Sequence, residues 1–233
     1  RLAAVCDEID ADETVGAAVV RGAEGTFCSG ADRRRWNPGA DQAEDSTYRE
    51  FSAIYNAFRR VGSLAVPTIA AVRGAAVGAG INLMLATDLR VVATDARILA
   101  GFLRIGIHPG GGFFTIAGRT AGREATSAMG LFSEELDGAA AERTGMAWKA
   151  LPDAEVEDFA LELARRREPL LHLLGAHQLV GHARALDRAA ELELSARGPL
   201  GLGRVVARLD AHHDARVGIA FGARILAHAV GDH

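Results

Sequence analysis

Cysteine is scarce: the 233 residues hold two, Cys6 and Cys28. Neither falls in a Cys-x-x-Cys or mixed Cys/His spacing. That sets aside a disulfide framework or a zinc-type site and fits a reducing, cytoplasmic setting. An excess of basic charge is also missing. Lys and Arg number 26 against 30 Asp and Glu, a net charge of −4, so the chain carries no electrostatic footprint for nucleic acid. The clusters Arg33–Arg35 and Arg165–Arg167 read as local solvated stretches. No uncharged apolar run reaches about 18 residues and no signal-peptide pattern opens the chain, so no membrane partner or export is expected. The opening RLAAVCDEIDAD reads as the last turns of a helix already in progress, with residues expected upstream.

What is present is an ordinary globular balance, 49% hydrophobic and 24% charged, in a chain long enough to bury a sizeable core. Val15–Arg21 and Leu89–Ala93 are short β runs, and Val66–Val72 is a buried strand opened by Pro67. Tyr48–Val61 places Phe51, Ile54, Tyr55, Phe58 and Val61 at helical spacing. Ile81–Thr87 reads as a short buried helix. Phe113–Ala117, Glu124–Leu131, Ala139–Thr144 and Val156–Arg167 read as further helices. Strand, turn and helix alternate through residues 1–155, which predicts an α/β core. Residues 156–233 read as a helical C-terminal segment suited to oligomerisation or to covering a ligand. Six histidines between His172 and His228 show no zinc spacing and read as surface or interface residues.

Two small-residue turns follow β runs. The first is FCSGAD, Phe27–Asp32; the second is the stretch Gly74–Gly80 inside TIAAVRGAAVGAGINLMLATD, Thr68–Asp88. Gly78 and Gly80 permit close approach of a ligand to the backbone, and the helix beginning near Ile81 aims free N–H groups at the turn. In the first turn Gly30 bends the chain and Ala31 offers its N–H; with an N–H from Ala79 it makes a two-donor hole for a thioester oxyanion. One such donor is worth about 3–4 kcal/mol of barrier. The plainer alternative is a tight strand–helix turn with packing glycines. A dinucleotide site is disfavoured because the spacing is GxxxGxG, and no GK[ST] follows to make a P-loop.

These residues resemble the crotonase (enoyl-CoA hydratase/isomerase) superfamily. The resemblance is carried by FCSGAD, PTIAAVRGAAVGAGINLMLATDLRVV and IGIHPGGG, with GLFSEELDGAAAERTGMAW standing where the family has its later helix pair. It runs from about Leu2 to Leu151. It implies a spiral of ββα turns, a homotrimer or dimer of trimers, an acyl-CoA ligand and no cofactor beyond the coenzyme A of the substrate. It implies a lyase of fatty acid metabolism whose thioester oxygen sits between the N–H groups of Ala31 and Ala79. The family has glycine at the second position; alanine keeps the N–H, so the hole survives if φ there stays negative.

The same resemblance places the family's two catalytic glutamates at Asn82 and Phe102. Asn82 can orient by hydrogen bonds but not exchange a proton at neutral pH, and Phe102 can do neither. Hydration needs a base for the water and an acid for the α-carbon. His108, in GIHPGGG, is the candidate to move the proton, against the plainer role of a His bonded to a carbonyl or facing a subunit. Asp32 reads as a helix cap and Asp88 as a structural hydrogen-bonding group, while Glu134 and Glu135 could border the pocket. Cys28 and Ser29 lack a paired base. Arg34, with Arg33 and Arg35, matches a basic residue that meets a coenzyme A phosphate, and Trp36 could pack over the acyl chain. Phe102, Leu103, Ile105, Phe113 and Phe114 would make an apolar acyl pocket, with plain core packing the better reading for each. The rivals to hydration are another enolate reaction (isomerisation, decarboxylation, thioester hydrolysis) and a silent acyl-CoA-binding or assembly subunit.

Overall fold

The computed structural model describes residues 1–12, 14–30, 44–166 and 224–229, with the course of the backbone alone for 44–51 and 224–229. The elements, in chain order, start with helix α1 (Leu2–Ala11), strand β1 (Val15–Arg21) and helix α2 (Glu44–Gly62). Strands β2 (Thr68–Val72) and β3 (Ala75–Val77) precede α3 (Ala79–Leu85); β4 (Leu89–Ala93) and β5 (Arg97–Leu99) precede α4 (Phe113–Leu131). Then come β6 (Glu135–Leu136), α5 (Gly138–Arg143), β7 (Lys149–Leu151), α6 (Val156–Arg166) and β8 (Arg224–Ala229).

The order of pairing shows how the chain winds. One sheet runs β7-β4-β2-β1-β8, and the first four of these are parallel neighbours in sequence order. A smaller sheet runs β3-β5-β6, and Cys28 bridges to Ala76 of β3 in parallel. Each pass therefore sends one strand to the large sheet and a short strand to the small one, then a helix: β2–β3–α3, followed by β4–β5–α4. This is the α/β ββα spiral expected from the sequence. Every residue of β2, TIAAV, is buried, as a continuous apolar parallel strand covered on both faces requires.

Local chemistry closes the elements. Thr68 donates its N–H and hydroxyl to one Asp88 oxygen, both at 2.8 Å, and the Asp88 N–H returns a bond to Thr68 Oγ1. Asp88 has the structural role the sequence suggested: it joins the start of β2 to the end of α3. Val156, Ala160 and Ala164 form a buried stripe at i, i+4, i+8 on α6, and α6 packs against β1, β2 and β4. Arg60 of α2 donates to Asp7, Asp10 and the Cys6 carbonyl of α1, pinning the first helix to the second.

Two local readings change, and one holds. The glycine turn 74–80 contains the strand β3, because its alanines pair with Arg97–Leu99. The two helices expected between 113 and 131 are both present within α4, separated by a kink where Gly122 takes φ 76° and ψ 176°. In the C-terminal region, α6 is helical as expected, while β8 pairs antiparallel with β1 inside a stretch whose letters read as helical. The exposed edge of β1 supplies backbone partners that a local pattern does not reveal.

Candidate active site

The two turns meet at the start of α3. Phe27 N–H donates to Arg73 O, Cys28 N–H to Ala75 O, and Val77 N–H to Cys28 O, each at 2.9 Å. The approach is tight enough to demand glycine. A Cβ on Gly80 would stand 2.5 Å from Cys28 O, and one on Gly30 2.8 Å from Val77 O. Gly78 turns the chain into α3 at φ 55° and ψ −120°, a conformation that costs a side chain dearly. Its N–H donates to Leu99 O at 2.9 Å. Ala79 is the first residue of α3, where helical N–H groups lack partners within the helix. Among the described residues its φ is not among the positive ones, and none of them accepts its N–H. Ala31 and Arg34 lie outside the described residues, as do Asp32, Arg33, Arg35 and Trp36.

One turn further along α3, Asn82 is 3% exposed. Its Nδ2 donates to Gly111 O at 2.9 Å and Gly110 O at 3.3 Å. The amide orientation follows from those bonds, since the flipped form would face its oxygen at two carbonyls. Asn82 Oδ1 is left buried with no partner among the described residues. Phe102, 6% exposed, borders the same turn: a Cβ on Gly78 would lie 4.0 Å from its Cε1. Its ring packs on Phe113 with centroids 5.8 Å apart, and Phe113 on Phe114 at 5.5 Å.

The enoyl-CoA hydratase/isomerase family model matches residues 1–195 of the chain. The chain belongs to that family. It is 41% identical over 165 residues to a Mycobacterium tuberculosis protein named "Probable enoyl-CoA hydratase EchA14", covering 70% of this chain and 62% of that one. The chain thus spans less than two thirds of the length of that relative. It is 29% identical over 198 residues to the 1,2-epoxyphenylacetyl-CoA isomerase of Escherichia coli, covering 83% of this chain and 76% of that protein. The crystal structure of an enoyl-CoA hydratase from Bacillus anthracis superposes with a TM-score of 0.70 at 24% identity, over 84% of this chain and 76% of that one, which supports the crotonase fold.

Gly30, Gly78, Ala79, Asn82 and Phe102 thus lie around one junction of this family member. His108 is exposed on the loop that leads to Gly110, with its ring 6.1 Å from Phe114. Glu135 is engaged elsewhere: Arg97 donates to both its oxygens at 2.8 Å and holds its carboxyl below the usual range. Glu134 is exposed. Burial pushes the Cys28 thiol up, against a hydrogen bond from the Gly30 N–H that lowers it, so it stays a thiol at neutral pH. Leu103 and Ile105 are 45% exposed each, contrary to core packing, because a 3-10 turn at Leu103–Ile105 carries them outward. Sequence reasoning passed over Tyr55. It counted as one member of an apolar stripe, and the available signal was that it alone in that stripe ends in a hydroxyl.

Proposed function

We propose that this chain binds an acyl-CoA thioester and polarises its carbonyl between the Ala31 and Ala79 N–H groups, as a lyase of its family acting in fatty acid metabolism. Gly30 and Gly78 bring the backbone to the ligand, Phe102 walls the acyl group, and Arg34 meets a coenzyme A phosphate. Asn82 orients water or substrate in place of one glutamate, Phe102 replaces the other, and His108 moves the proton. No cofactor is needed beyond the coenzyme A of the substrate. The assembly is a homotrimer or dimer of trimers in the cytoplasm. Residues 1–155 form the catalytic core, and residues 156–233 serve the subunit contact or cover the ligand.

The observation that supports this reading is the Ala79 N–H, which opens α3 beside the Cys28–Gly30 turn and has no acceptor among the described residues. A donor in that position gains most when charge develops on a thioester oxygen, because it is already oriented before the reaction. A silent acyl-CoA-binding subunit is the second reading. It is favoured by the neutrality of Asn82 and Phe102, neither of which exchanges a proton. The name of the Escherichia coli relative gives isomerisation a place among the reactions to be assayed.

The test is calorimetry with crotonyl-CoA, followed by product analysis across a panel of acyl-CoAs. Crotonyl-CoA is expected to bind, and His108→Ala to lower turnover about 100-fold with the Kd unchanged. Binding without turnover on any acyl-CoA would establish the silent subunit instead.

A further inference from the structure

The loop that opens α4 carries three glycines in a row, and two of them, Gly111 and Gly112, take left-handed φ values of 62° and 73°. Glycine adopts such a path without steric cost but loses the most backbone freedom when it is fixed there. Groups outside the loop have to hold it. Asn82 of α3 donates its Nδ2 to Gly111 O at 2.9 Å and to Gly110 O at 3.3 Å. Gly110 O also accepts the Phe113 N–H at 3.2 Å, whereas no backbone N–H of the described residues reaches Gly111 O. The ring of Tyr55 on α2 lies against the same point. A Cβ on Gly111 would stand 2.2 Å from Tyr55 Cδ1 and Cε1 and 2.9 Å from Asn82 Nδ2.

Asn82 is sealed from solvent. The residue is 3% exposed, and its Oδ1 exposes less than 1 Å². Its Nδ2 is committed to the two loop carbonyls, so the amide works on the loop and not on a ligand. Two features depend on that loop. His108 lies two residues before Gly110, and Phe113, which follows Gly112, packs its ring on Phe102 with centroids 5.8 Å apart. A carboxylate could not replace the amide, because it has no hydrogen to offer the carbonyls.

We propose that Asn82 is a positioning residue: its amide clamps the Gly110 and Gly111 carbonyls and thereby sets His108 and the Phe113–Phe102 wall for the acyl thioester. This rests on the acyl-CoA reading above and deepens it, since Asn82 then orients the substrate through the loop. Tyr55 supports the same stretch by contact.

The experiment is Asn82→Asp in the full chain, compared with the native protein at pH 5 and pH 8. Crotonyl-CoA calorimetry reads the site. Amide hydrogen exchange at Phe113, whose N–H bonds Gly110 O, reads the loop without a ligand. A protonated aspartic acid donates one hydrogen to the loop; the ionised form donates none and repels both carbonyls. Burial is expected to raise its pKa well above the unfolded value of about 3.9. The clamp then holds below the raised pKa and is lost as pH climbs through it. The titratable groups on the neighbouring elements are Tyr55 of α2, Cys28 beside Gly80 and His108 of the loop. Burial pushes the first two up, so both stay protonated at pH 5, and the native protein is the baseline for all three and for the ligand's phosphates.

The variant is expected to bind crotonyl-CoA about tenfold more weakly than the native protein at pH 8, and within about twofold of it at pH 5, the scale of one buried hydrogen bond lost and regained. Exchange at Phe113 is expected to be faster than native at pH 8 and near-native at pH 5. A side chain that accepted a hydrogen from the substrate would do the opposite, because a carboxylate accepts better than an acid. Native-like binding and exchange at pH 8 overturn the proposal, as does an equal loss at both pH values. If the variant folds at neither pH, Asn82→Leu, close in shape and uncharged, decides: faster Phe113 exchange supports the clamp, and native exchange overturns it. If crotonyl-CoA fails to bind the native protein, the acyl-CoA reading falls, while exchange at Phe113 still decides the clamp.

Discussion

The junction around Asn82 and the seam beneath α6 are built from opposite materials. At the junction the contacts are backbone carbonyls, small residues, aromatic rings and neutral amides, and His108, on the loop that leads to Gly110, is exposed. At the seam, Arg73 donates to Asp153 and Glu157, and Arg21 donates to Glu157 from the neighbouring strand. The side chains of this cluster are 25–39% exposed. Charge is thus spent on docking a helix to a sheet at a half-wet surface, where ion pairs avoid full desolvation. The junction instead relies on steric closeness, which solvent does not screen. The two regions should accordingly fail in different ways: the first by clash or cavity regardless of salt and pH, the second gradually with both.

The largest effect is expected at the junction. Gly80→Ala puts a Cβ 2.5 Å from the Cys28 carbonyl oxygen and 2.9 Å from Cys28 Cβ. Backbone must move, and stability is expected to fall by about 2–3 kcal/mol in urea unfolding, with the same loss at 0.1 M and 1 M salt. Gly118→Ala in α4 is the matched control. A Cβ there meets nothing within 4 Å, so the variant is expected to gain about 0.5–1 kcal/mol from helix propensity. If both substitutions cost the same, the closeness of the two turns is not what holds the junction.

The same contrast decides what the letters could reveal. β1 and β4 were legible because each is a compact β-branched run with turn residues beside it, and the two glycine turns were legible because their residues are consecutive. β3 was not. Its alanines have weak strand preference, and they become a strand only because β5 and Cys28 lie on either side. Gly78, Asn82 and Phe102 were singled out by their place in a motif, whereas the bond from Asn82 to Gly110 and Gly111 spans 28 and 29 residues and has no local sign. Tyr55 is the extreme case. Its apolar neighbours made it look like core, and its partners lie two elements away. Leu103 and Ile105 erred the other way, since hydrophobic letters do not say which way a 3-10 turn faces.

The seam should show the intermediate effect. Arg73→Ala removes the donor that holds Asp153 and shares Glu157, while Arg21 keeps its own bond to Glu157. The expected loss is about 1 kcal/mol, because the cluster is partly screened by water. It should shrink by half or more in 1 M salt, where the Debye length is about 3 Å. An unchanged loss in high salt would mean that the alkyl stem of Arg73, rather than its charge, carries the contact.

The smallest effect, and the one with the clearest signature, concerns Asp153. The hydrogen bond from Arg73 holds its carboxyl below the ordinary carboxylate range. A carboxyl whose folded pKa lies under its unfolded value of about 3.9 adds stability above that value and loses it as pH falls through the folded one. Asp153→Asn is therefore expected to be less stable than the native chain at pH 7, by a margin that narrows by pH 2.5. With the Asp153 side chain 39% exposed, the difference at pH 7 is expected to be no more than about 0.5 kcal/mol after screening. Urea unfolding of both proteins at the two pH values measures it. A gap that stays as wide at the lower pH would show that Asp153 acts through packing or a neutral hydrogen bond, and the division between a charged seam and an uncharged junction would then lose its electrostatic basis.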